Sequence, residues 1–110
     1  MTDTPPLYSY RGAFQKINVM YKIKQYSKEQ AQKLGVTIKP SQNPKKKIDV
    51  YKNGEKVASI GATGFKDFPT YIETNGKQYA EKRRELYKIR HAKDRNKKGT
   101  AGYYADRILW

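Results

Sequence analysis

The stretch Lys47-Ile48-Asp49-Val50-Tyr51-Lys52-Asn53-Gly54-Glu55-Lys56-Val57-Ala58-Ser59-Ile60 decides the fold. Two runs rich in β-branched residues flank Asn53-Gly54, a pair that accepts positive φ at little steric cost, so the segment predicts a tight β-hairpin over 47–61. Two registers are open. A two-residue turn gathers Ile48, Val50 and Val57 on one face. A three-residue turn with a glycine bulge gathers Ile48, Val50, Ala58 and Ile60, and is preferred because it collects more apolar side chains.

Working outward, residues 16–25 alternate Ile17, Val19, Tyr21 and Ile23 with Asn18, Met20, Lys22 and Lys24. That period of two predicts a strand with one buried and one wet, basic face. Ser27-Lys28-Glu29-Gln30 has capping-box spacing and Gly35 suits a C′ position, so a short helix is expected over 28–34. Val36-Thr37-Ile38 reads as a brief extended piece, followed by a polar, proline-punctuated connector from Lys39 to Lys47.

On the far side of the hairpin, Gly61 to Pro69 reads as a loop. It lacks the full glycine pattern and the Lys-Ser/Thr ending of a nucleotide loop, so Phe65 and Phe68 are expected to close the end of the core. Residues 77–98 read as a helix, with Tyr79, Leu86, Tyr87 and Ile89 on a broad apolar arc and its packed part at 77–96. This segment carries ten basic and three acidic residues. Gly99 ends it. The final run, Thr100 to Trp110, turns apolar again and places Tyr104 and Ile108 at helical i,i+4 spacing. Residues 1–13, with Pro5-Pro6, read as an extended arm. The expectation is therefore an α+β fold: arm 1–13, then a single small domain over 14–110. A small antiparallel sheet built from 16–25 and the hairpin would pack against one long basic helix, with an aromatic C-terminal tail.

Composition bounds the function. The 110 residues include 24 Lys+Arg against 10 Asp+Glu, a formal net charge of +14. Leu, Ile, Val and Phe number 19, under the roughly 20% mark at which a highly charged chain struggles to build a core. Ten Tyr partly offset this, since each adds a large ring with a polar tip. No apolar run approaches the ~18–20 residues of a membrane span, and Met1 to Pro6 lacks the charged and apolar regions of a secretory signal. Without Cys there is no disulfide, thiolate nucleophile or cysteine zinc site, and a small core without disulfides points to a reducing, intracellular setting. One His forms no histidine cluster. No cofactor or metal is expected.

So basic a chain requires a polyanionic partner: nucleic acid, an anionic membrane face or acidic protein. Candidate polyanion contacts are Lys82, Arg83, Arg84, Lys88, Arg90, Lys93, Arg95, Lys97 and Lys98 on the helical segment, and Lys45, Lys46 and Lys47 before the hairpin. Local pairs such as Glu81–Arg84 and Glu85–Lys88 cannot neutralise the helix, and clustered cations that release counterions from phosphates fit it better. The Lys45–Lys47 run also fits an import signal, but such a run is more often a solvated linker that keeps a strand edge from aggregating. His91, beside Arg90 and near Lys93, has no evident nucleophile or orienting acid and reads as a structural or surface residue. The acids Asp49, Asp67, Glu73, Glu81, Glu85 and Asp94 form no compact constellation for a divalent-metal nuclease. Tyr103, Tyr104, Ile108, Leu109 and Trp110 form either a lid on the core or an anchor into a neighbour, and with Tyr8 and Tyr10 on the arm they are the candidate protein interface.

The C-terminal half carries a resemblance. Ile60-Gly61-Ala62-Thr63-Gly64-Phe65-Lys66-Asp67-Phe68 is similar to a Phe-Gly-Ala…Asp-Phe segment. A basic helix ending in Arg90-His91 follows. The ending Thr100-Ala101-Gly102-Tyr103…Leu109-Trp110 completes the order. Together these resemble a family of small basic proteins of large nucleocytoplasmic DNA viruses, the algal and amoebal giant viruses, over residues 47–110. The resemblance implies no catalytic residue. It implies a non-enzymatic, virion-associated structural protein, a minor capsid component that meets the infected cell's interior before assembly. Its partners would be neighbouring capsid subunits or packaged genome, within a multi-subunit assembly. The alternative is a free-standing, sequence-independent nucleic-acid-binding protein.

Overall fold

The computed structural model describes residues 21–110. The arm over 1–13, with Tyr8 and Tyr10, and residues 16–20 of the expected first strand lie outside the described residues.

The fold is α+β. Helix α1 spans Gln25–Leu34. Strands β1 (Thr37–Pro40), β2 (Lys46–Lys52) and β3 (Glu55–Ala62) follow. Then come α2 (Phe68–Asn75), α3 (Lys77–Arg90) and α4 (Ala101–Leu109). The three strands form one antiparallel sheet in the order β1-β2-β3.

The hairpin forms where Asn53-Gly54 requires it. Asn53 has φ 53° and Gly54 φ 82°, both left-handed, and Lys52 faces Glu55 directly across a two-residue turn. The preferred side-chain grouping is nevertheless the observed one: Ile48 faces Ile60 and Val50 faces Ala58. The extra residue sits not at the glycine but inside β3. Tyr51 faces Lys56 while Val50 faces Ala58, so Val57 bulges outward. A bulge there keeps the primed turn, whose twist matches the strands, and still turns Ala58 and Ile60 toward the core.

The third strand differs from expectation. Tyr21 to Lys24 pair with no strand, and α1 begins at Gln25. Tyr21 and Ile23 pack against the core without joining the ladder. The place beside β2 is taken by β1, with Ile38 opposite Val50 and Pro40 opposite Ile48. The connection from β1 to β2 is short and fixed by the Ser41 N–H on the Lys47 carbonyl (3.0 Å) and the Ser41 hydroxyl on Asp49 (2.7 Å). A local antiparallel neighbour costs less loop-closure entropy than a distant one. Pro40, which has no N–H to donate, is tolerated because β1 is an edge strand.

Helix α1 starts earlier than its capping box suggests. Ser27 is not the cap but a buried residue of the first turn, donating to the Ile108 carbonyl at 2.9 Å. Its end is as expected: Gly35, at φ 74°, and Val36 return N–H groups to Gln32 and Ala31, the Schellman pattern.

Helix α2 takes only Phe68 and Pro69 from the end of the expected loop and runs on through Asn75. The Asp67 side chain accepts from the Thr70 N–H at 3.0 Å and Pro69 occupies the first turn, a combination that starts helices. Phe68 is buried as expected, but Phe65 is 73% exposed and closes nothing.

The basic helix is shorter than expected. It ends at Arg90, and residues 91–98 run as successive turns. Nor does it cover the sheet. That task falls to α4, whose Tyr104, Ile108 and Leu109 join Ile48, Val50 and Ile60 in the core. Thr100 caps α4 by accepting from the Tyr103 N–H. Thus α3 rests on α2 and on the Trp110 end of α4.

Candidate nucleic-acid interface

Three carboxylates are buried as cation or hydroxyl hubs, and they decide which basic residues stay available. Asp67 accepts from the Tyr21 hydroxyl (2.7 Å), the Lys47 ammonium (3.0 Å) and the Thr70 N–H. Burial opposes its charge, but these donors and the lysine outweigh that and hold its carboxyl below the usual range. The same balance lowers Asp49, where the Ser41 and Ser59 hydroxyls donate at 2.7 Å each. It also lowers Asp106, which takes Lys88 and Arg95 at 2.9 Å each and Arg107 beside them. Burial and the Asp67 charge push the Tyr21 phenol upward.

Several expected polyanion contacts are thereby committed elsewhere. Lys47 is buried, its ammonium shared between Asp67 and the Phe65 carbonyl, because a charge taken from water needs a carboxylate and an acceptor. Lys88 and Arg95 serve Asp106, tying α3 and the 91–98 turns to α4. Beyond the end of the helix Arg95 reaches Asp106, while Arg107 donates to the Arg95 carbonyl and to Asn96. Arg84 pairs with Glu81 at 2.7 Å and lies over the Phe68 ring. Lys45, Lys46, Lys82, Arg83, Arg90, Lys93, Lys97 and Lys98 have no carboxylate partner among the described residues.

The C-terminal residues form a lid. Tyr104, Ile108 and Leu109 are sealed in the chain's own core, which corrects their expected place in an interface. Tyr103 is half-buried, with Arg107 over its ring. Trp110 stacks on Tyr87 at 4.4 Å and 8°.

That stack is the middle of a row of rings. Tyr71 lies 6.2 Å from Trp110, and His91 lies 4.3 Å from Tyr87. The row lines a cavity of about 290 Å³ between α3, the end of α4 and the loop after β3, lined also by Phe65, Lys66, Arg83 and Arg90. Arg83 and Lys66 lie over the Tyr71 ring at 5.6 and 5.7 Å. A second depression adjoins it, sharing Gly61, Tyr87 and His91 and lined also by Lys46, Asp94 and Lys97. Lys46, from the tri-lysine run, therefore joins the same groove as α3.

The remaining candidate acids do not converge. Asp49 and Asp67 sit in separate networks and Glu73 pairs with Lys24 at 2.8 Å. No group of three or more His, Asp or Glu suited to a metal occurs among the described residues.

Sequence reasoning found Arg83, Arg90, Lys46, Lys97 and Trp110 but missed Phe65, Lys66, Tyr71, Tyr87 and His91 as neighbours of one groove. Part of the signal was present: Arg83, Tyr87, Arg90 and His91 fall at i, i+4, i+7 and i+8, one face of a helix. Lys66 and Tyr71 come from the loop and α2, and only the tertiary fold brings them there. Comparison with protein-family models, with curated proteins and with solved structures found no match.

Proposed function

We propose that this chain binds nucleic acid without sequence preference and without catalysis, and that it does so as a structural component of a large DNA virus particle. The observation that carries the reading is the groove, where Lys46, Lys66, Arg83, Arg90 and Lys97 meet Asp94 as the one acid left without a cation among its described lining residues. Long cationic side chains on such a rim neutralise phosphates and release counterions, whatever the base sequence. The particle setting rests on the resemblance over residues 47–110, and packaged genome supplies the polyanion.

Binding to duplex and single-stranded oligonucleotides, measured as log affinity against log salt, tests this. Affinity should fall steeply with salt, and Lys66→Ala, Arg83→Ala and Arg90→Ala should each make the slope shallower by about 1. An affinity indifferent to salt or to these variants overturns it.

A contact with a neighbouring capsid subunit is the second reading. The C-terminal residues are largely spent within the fold, but Tyr79, Leu86 and Ile89 stand exposed on α3. Retention in salt-washed particles that is lost on Ile89→Asp would favour it.

A further inference from the structure

We propose that Phe65 is a base-stacking platform that makes the groove selective for unpaired strands of nucleic acid. This rests on the nucleic-acid reading above and goes beyond it, since cations alone do not distinguish single strands from duplex.

Phe65 is the most exposed large apolar side chain among the described residues, at 73%. Its backbone, by contrast, is held. The buried Lys47 ammonium donates to its carbonyl, and its N–H meets the Ala62 carbonyl at 3.4 Å. Lys47 is fixed in turn by Asp67, the cap of α2. Gly64, at φ 90°, makes the turn that presents the ring. A phenylalanine displayed from a pinned loop forgoes burial that its neighbour Phe68 obtains.

The other rings of the groove are occupied. Trp110 lies between Tyr87 and Tyr71, and Tyr87 between Trp110 and His91. Phe65 has no ring partner among the described residues. It lines the same cavity as Lys66 and Arg83, so a base laid on it carries its phosphates toward two cations. Stacking on an aromatic side chain needs a base with a free π-face, which an unpaired strand offers and the interior of a duplex does not.

The test compares the full-length protein with Phe65→Ala and Phe65→Tyr on four labelled probes: oligodeoxythymidylate, oligouridylate, a duplex of equal charge, and an abasic strand of equal length. The wild type should prefer the better of the two pyrimidine strands over the abasic strand by about 5- to 150-fold. Phe65→Ala should erase that preference while leaving abasic affinity unchanged, and Phe65→Tyr should keep it. Circular dichroism checks folding of both variants. Equal wild-type binding to all probes in proportion to charge overturns this inference and leaves the nucleic-acid reading standing. So does a Phe65→Ala protein that binds every probe like wild type. Failure to bind any probe at low salt overturns both.

Discussion

Gly61 shows how one missing side chain can be a structural requirement. Its φ is 78°, and a Cβ there would stand 2.8 Å from Leu109 Cδ1 and within 3.2 Å of Lys47. Leu109 is core and Lys47 is pinned by Asp67, so neither can yield cheaply. Gly61→Ala should destabilise the fold by about 1–3 kcal/mol in urea unfolding, from strain and overpacking together. Gly54 also has positive φ but stands in open space, so its alanine variant should lose less. The contrast separates backbone strain from steric collision.

Between elements, Asp106 is the joint. One carboxylate on α4 holds Lys88 of α3, Arg95 of the turns and its neighbour Arg107. The cations are about a third exposed and the acid is not, so solvent screens part of each pair. Asp106→Asn should cost about 1–3 kcal/mol, chiefly by leaving Lys88 and Arg95 poorly matched. The pH dependence follows from the same chemistry. Asp49, Asp67 and Asp106 all titrate lower in the folded chain than their ordinary value. Their contribution is whole above the unfolded aspartate pKa of about 4 and is lost as pH falls through the lower folded values. The urea midpoint should therefore hold steady from neutral pH to about 5 and then drop. In Asp106→Asn the drop should be smaller, because one of the three linked protons is gone.

Across the whole molecule, a formal charge of +14 on 110 residues sits on a core of few large side chains. Self-repulsion of this kind weakens a compact state and is screened by salt. The thermal midpoint should rise with added monovalent salt, whereas affinity for nucleic acid falls over the same range, and parallel melting and binding titrations check the opposed signs. Much of this architecture is legible residue by residue. Asn53-Gly54 dictates a hairpin, Gly35 ends a helix, and the Tyr104–Ile108 spacing marks a helical stripe, because each rests on backbone chemistry within a few neighbours. The α2 start is legible as well, because Asp67 supplies a side-chain cap and Pro69 a first-turn residue without an N–H. Other features are decided by partners far along the chain. Period-two alternation in 16–25 states only that one face prefers burial, and at Tyr21 and Ile23 the core provides it without a strand. Residues 91–98 have helical composition, yet they run as turns in which Arg95 meets Asp106 from far along the chain. The sequence by itself determined an α+β chain with a surplus of cations. Which cations remain available, and that Lys46, Arg83, Arg90 and Lys97 among them line depressions beside a row of rings, was decided by tertiary structure, because buried carboxylates hold the others within the fold.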